Sequence, residues 1–135
     1  MVSSPDYEVT IVNDAGVLRI AALGTFAVEP TKRLFDRVAR DARHCEAKRV
    51  LLDLRGVVGR ITTMERFELG VYAAARIKVK VALVGLPETI DHFGETVAIN
   101  RGAKSRVFTD ETEALSWLLS ERGPLDPKLI PYNRG

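Results

Sequence analysis

Between Arg55 and Arg66 the chain places three guanidinium groups, Arg55, Arg60 and Arg66, around two adjacent hydroxyls, Thr62 and Thr63. Such donors, beside the free N–H groups of a helix start, suit the binding of a phosphate or carboxylate through charge-assisted hydrogen bonds. The plainer role of the two threonines is capping. Thr62-x-x-Glu65 fits the capping-box pattern, in which the hydroxyl accepts from the first turn and the glutamate reaches back. The plainer role of the arginines is solvation, or pairing with Asp53, Glu65 or Glu68.

Other reactive side chains do not assemble into a reaction. Asp53 lies inside an apolar run and is read as a partner for backbone N–H groups of the segment that follows; no second acid or base is specified beside it. His44 and Cys45 are sequence neighbours on one helix and so do not face each other. His92 lies near Asp91 and Glu95, but one histidine with carboxylates is weak grounds for a metal site. Gly56-Val57-Val58-Gly59 and the lone Gly85 fall short of a dinucleotide-binding glycine pattern. We therefore expect no catalytic residues, no metal and no cofactor.

The elements that must position these residues can be read in order. Tyr7 to Val12 and Val17 to Leu23 are β-rich runs joined by Asn13-Asp14-Ala15-Gly16, which suits a hairpin turn. From Pro30 to Arg43, Leu34, Phe35, Val38, Ala39 and Ala42 recur at helical spacing opposite a charged face. Arg49 to Leu54 is continuously apolar at Val50, Leu51 and Leu52, as a central parallel strand should be. A loop from Arg55 to Ile61 leads to a helix from Thr62 to Arg76. Phe67, Val71, Ala74 and Ala75 are expected on its buried stripe; Leu69, with Met64 or Tyr72, then either points partly outward as an apolar partner surface or, the plainer reading, packs against the adjacent helix.

Lys78 to Gly85 is a further buried strand; Pro87 to Gly102 reads as a third helix, Lys104 to Phe108 as a last strand. A final helix follows Thr109, with acidic residues in its first turn and Ala114, Leu115, Leu118 and Leu119 inward. Residues 1–122 form one domain and 123–135 a proline-containing tail, whose Ile130 and Tyr132 suit a homodimer contact. Alternation after the hairpin implies right-handed crossovers. The expected architecture is α/β: a five-stranded, mostly parallel sheet with an antiparallel N-terminal hairpin and four helices.

Composition bounds the function classes. With 46% hydrophobic and 28% charged residues, the chain is of globular rather than disordered type. Twenty basic residues are interleaved with eighteen acidic ones for a net charge of +2, which disfavours a nucleic-acid partner. A single cysteine precludes an intrachain disulfide, and no apolar run approaches the ~20 residues of a transmembrane helix, so a cytoplasmic location is expected.

Three signals resemble the SpoIIAA-like branch of the STAS superfamily, the sulfate-transporter and anti-sigma-factor antagonist domains. They are Val50-Leu51-Leu52-Asp53-Leu54-Arg55-Gly56-Val57 before a loop and helix, the strand Val81-Ala82-Leu83-Val84-Gly85, and the ending from Arg106-Val107-Phe108 through an acidic run to Ala114-Leu115-Ser116-Trp117-Leu118. The resemblance covers about residues 7 to 120. It implies a non-enzymatic regulatory module that binds a protein partner through the loop and helix after the central strand. In the antagonists an Asp-Ser pair opens that helix and its serine is phosphorylated. Here Ile61-Thr62-Thr63-Met64 stands in its place, where Thr62 or Thr63 would supply the hydroxyl, and the resemblance points to Thr63 as the phospho-acceptor. The alternative is a carrier or sensor of a small hydrophobic, lipid-like or anionic ligand, held between sheet and helices near Thr62 and Pro87.

Overall fold

The computed structural model describes residues 6–87, 102 and 104–120. Its elements are β1 (Glu8–Asp14), β2 (Val17–Thr25), α1 (Val28–His44), β3 (Arg49–Val58), α2 (Thr63–Arg76), β4 (Lys80–Val84), β5 (Ser105–Phe108) and α3 (Glu111–Leu119). The strands form one sheet in the order β1-β2-β3-β4-β5. β1 and β2 are antiparallel, and every later pair is parallel, as the sequence implied. Three helices stand among the described residues; the expected helix from Pro87 to Gly102 falls almost wholly outside them, as does the tail 123–135.

The hairpin turn is tighter than the four-residue stretch that suggested it. Asp14 pairs with Val17, leaving Ala15 and Gly16 at φ 52° and 87°. A two-residue turn with positive φ at both positions matches the right-handed twist of its strands.

Strand alternation divides the core in two. On one face Leu18, Ile20, Val50, Leu52 and Val81 meet Leu34, Phe35 and Val38 of α1 and Leu69 of α2. On the other, Val17, Leu51, Ala82 and Val84 meet Ala114 and Leu118 of α3, with Phe108 and Trp117 packed at its margin, ring centroids 5.7 Å apart. β3 is buried from both sides, which accounts for its unbroken apolar run. Each fully buried Leu or Ile contributes about 1.5–3 kcal/mol relative to exposure.

Three expectations need correction. β3 does not stop at Leu54 but runs to Val58, with Gly56, Val57 and Val58 pairing Leu23, Gly24 and Thr25 past a register shift in β2. Most of the expected loop is therefore strand. Helix α2 is turned differently: Leu69, Gly70 and Ala74 are buried while Phe67 and Ala75 are exposed. Its rotation is set by a polar seam with α1, where Tyr72 Oη donates to Asp36 at 2.8 Å, Arg76 Nε meets Asp36 at 3.2 Å and Lys32 meets Glu68 at 2.5 Å. Leu119 of α3 is 52% exposed rather than inward, because the helix lies on the sheet through Ala114 and Leu118.

Candidate functional site

At the carboxyl rim of the parallel strands the chain passes from β3 into α2 through residues 59–62. Gly59 has φ 124°, a backbone angle that side chains other than glycine's rarely adopt, so the direction of the turn depends on it. Thr62 then caps α2 as its spacing suggested: its Oγ1 accepts from Glu65 N at 3.1 Å, and Glu65 Oε1 accepts from Thr62 N at 2.8 Å. Both groups of this box are thereby engaged. Thr63, the first helical residue, is exposed.

Apolar side chains surround this turn. Val58 at the end of β3 is 52% exposed, Met64 on the first turn of α2 is 73% exposed, and Phe67 one turn on is 39% exposed. Leu23, paired across from Gly56, is 54% exposed. Arg60 is exposed, and among the described residues its side chain makes no hydrogen bond or ion pair. The rim thus offers hydrocarbon, one unengaged cation and an exposed hydroxyl on the N-terminal end of a capped helix.

The three arginines of the sequence reading do not meet there. Arg60 and Arg66 flank the start of α2, but Arg55 follows Leu51 and Asp53 onto the α3 side of the sheet. Its guanidinium takes both oxygens of Asp53, Nε to Oδ1 at 2.9 Å and Nη2 to Oδ2 at 2.8 Å, and reaches Glu111 Oε1 at 2.7 Å. Arg19 Nη1 holds the other oxygen of Glu111 at 2.9 Å, and its Nε meets Asp14 at 3.2 Å. The result is a charge ladder, Asp14, Arg19, Glu111, Arg55 and Asp53, across β1, β2, β3 and the first turn of α3. Asp53 also accepts from Arg55 N at 3.0 Å, the backbone role expected of it. The hydrogen bonds from Arg55 hold the Asp53 carboxyl below the usual range against the opposing effect of burial, and the same contacts push the Arg55 guanidinium up.

The far end of α3 is fastened in a similar way, which sequence reading missed. Arg49 Nε donates to Leu118 O at 3.0 Å, and Lys80 Nζ donates to Trp117 O at 2.9 Å and Ser120 O at 2.8 Å while lying 4.5 Å from the Trp117 ring centre. Cations at the last carbonyls complement the negative end of the helix dipole. A signal existed in that Arg49 and Lys80 both open strands that enter the sheet side by side. No group of three or more His, Cys, Asp or Glu residues with metal-binding geometry occurs among the described residues. No helix among them is long and apolar enough to cross a membrane. The carrier alternative places its ligand near Thr62 and Pro87, and residues 88–101 that follow Pro87 in the chain lie outside the described residues.

No family model and no curated protein matches the sequence. Solved structures do. An anti-sigma factor antagonist from Mycobacterium paratuberculosis aligns with a TM-score of 0.60 at 10% identity, over 88% of this chain and 100% of its own. An uncharacterised protein from Shewanella loihica with a SpoIIAA-like fold aligns with a TM-score of 0.51 at 18% identity, over 87% of this chain and 98% of its own. Together with the strand order and the helix layers described above, these similarities show that the chain has the SpoIIAA-like, STAS-type fold.

Proposed function

We propose that the protein is a non-enzymatic regulatory module that docks a protein partner on the rim formed by residues 58–67. The observation that carries this reading is the exposure of Met64 and Phe67 on the first turns of α2, a helix whose other face is anchored in the core through Leu69 and Ala74. Large apolar side chains on an element already held in place form a surface with hydrophobic energy to gain and little ordering cost. Arg60 at the edge adds a cation that favours a carboxylate or phosphate on the partner. The likeness to a structure described as an anti-sigma factor antagonist supports a role in regulation by protein contact.

Thr63 supplies the switch. Its exposed hydroxyl lies outside the capping box, so phosphorylation would add about two negative charges to the apolar rim without removing the cap. A photo-crosslinking residue at Met64, introduced in the native host, tests the docking surface. It should capture a discrete partner that is lost when Phe67→Asp is added, whereas the same residue at Arg37 on α1 should not capture it. Equal capture at both positions would remove the assignment.

A further inference from the structure

At the opposite rim of the sheet, where β3 and β4 begin, the ends of α1 and α2 enclose an open groove of about 470 Å³. Its floor is small and apolar: Ala39 and Ala42 from α1, Ala47 from the turn into β3, and Val79 before β4. Four cations stand around it, Arg43, Lys48, Arg76 and Lys78, against one carboxylate, Glu46. The cations are not equivalent. Arg76 is engaged by Asp36 and lies 4.4 Å from the Tyr72 ring centre, while Lys78 Nζ donates to Ala74 O at 2.8 Å. Arg43 and Lys48 have no side-chain hydrogen bond or ion pair among the described residues.

The backbone beside the groove is also unusual. α1 ends in a Schellman-type closure, with Glu46 N bonded to Arg43 O at 3.2 Å and Ala47 N to Ala42 O at 2.9 Å. This closure requires a left-handed residue, and Glu46 fills it at φ 53°. Glycine takes that conformation without steric cost, whereas a side-chain-bearing residue such as glutamate is disfavoured there by about 1 kcal/mol. The two backbone hydrogen bonds hold the turn that carries Ala47 and Lys48 against the end of α1 in spite of that cost.

We propose that this groove is a second binding site, distinct from the α2 rim, and that it takes a small anionic amphiphile: a short apolar body on the alanine floor and a carboxylate or phosphate head between Arg43 and Lys48. The volume falls within the range of small-molecule sites, and alanines leave room where larger side chains would fill the space. Charge selects the ligand class. Four positive groups, one of them paired with Asp36, stand against Glu46; they repel a cation, and a neutral hydrocarbon would leave Arg43 and Lys48 without a partner. Helices α1 and α2 both end here, and Lys78 Nζ answers the Ala74 carbonyl of α2, so Lys78 is assigned to the fold and the ligand head to Arg43 and Lys48.

Amide chemical shifts of the ¹⁵N-labelled protein, titrated separately with octanoate, octyl phosphate, octan-1-ol and inorganic phosphate, test the site. Octanoate and octyl phosphate should saturably shift Ala42, Ala47, Lys48 and Val79, and their relative affinities report whether carboxylate or phosphate is the better head. Octan-1-ol and inorganic phosphate should each bind at least about tenfold more weakly, the equivalent of about 1.4 kcal/mol. The double variant R43E/K48E should lose about tenfold or more in octanoate affinity with an unchanged fold by circular dichroism, and Glu46→Gln should gain about two- to threefold. Lys48→Met serves as a milder variant where charge reversal perturbs folding, with a weaker loss in the same direction. Shifts centred elsewhere, equal binding of octan-1-ol and octanoate, or charge variants that bind as wild type would each overturn the proposal. None of these readouts involves the α2 rim.

Discussion

Arg55→Met tests whether that arginine fastens α3 to the sheet. The side chain makes a two-pronged contact with Asp53 and a single contact of 2.7 Å with Glu111. All three groups are partly solvated, with side-chain exposures of 39% for Arg55, 28% for Asp53 and 42% for Glu111. Exposed ion pairs contribute about 0.2–1 kcal/mol each, and two-pronged geometry within a network places these towards the top of that range. Two pairs, discounted for solvent screening, give a loss of about 1–1.5 kcal/mol, while methionine keeps most of the hydrocarbon stem packed.

Urea unfolding should show this as a lower midpoint at unchanged slope, with Tm down by about 3–5 °C. A double-mutant cycle with Glu111→Gln should return a coupling of about 0.5–1 kcal/mol. The pH dependence has a definite sign. The folded-state pKa of Asp53 lies below its unfolded value near ~3.9, so the associated stability is fully present above about pH 5 and is lost as the pH falls through the folded value. The difference between wild type and Arg55→Met should therefore be greatest near neutrality and shrink below about pH 4. A variant with unchanged stability, or a stability difference that grows on acidification, would refute the fastening role.

Three further perturbations follow from local geometry. Thr62→Ala should lose about 1 kcal/mol in urea unfolding by removing one half of the capping box, whereas Thr63→Ala should stay within about 0.5 kcal/mol of wild type. Gly56→Ala should destabilise by about 1–3 kcal/mol, because its Cβ would stand 2.9 Å from Ala22 O, and although the exposed Leu23 side chain can move aside, the backbone cannot. Glu46→Gly should raise the urea midpoint by the equivalent of about 1 kcal/mol, since glycine relieves the left-handed strain at the end of α1; a lower midpoint would show that chain entropy outweighs it.

Part of this architecture was legible because its causes are local. The continuous apolar run Val50-Leu51-Leu52 can only be a strand covered on both faces, and β3 is covered by α1 and α2 on one side and α3 on the other. Thr62 and Glu65 are three residues apart, and the capping box needs nothing beyond its own turn. Helix α2 was not legible in the same way. Phe67 and Val71 define one apolar stripe and Leu69 and Ala73 another, roughly 200° away at 100° per residue, so periodicity alone offers two rotations. The seam of Tyr72 and Arg76 with Asp36, contributed by a distant part of the chain, selects the one that buries Leu69 and exposes Phe67.

Hydrophobic period and capping chemistry, which act over a few residues, thus determine where strands and helices lie, that the strands run parallel after a hairpin, and that α2 starts at Thr62. What faces what was decided only in three dimensions. Glycine-punctuated Arg55 to Val58 became strand because β2 offered hydrogen-bond partners, and Arg55 left the expected anion site because Glu111, far along the chain, arrives beside it with α3. Side-chain partners depend on how elements separated by tens of residues pack, and no short-range pattern in a single sequence records that.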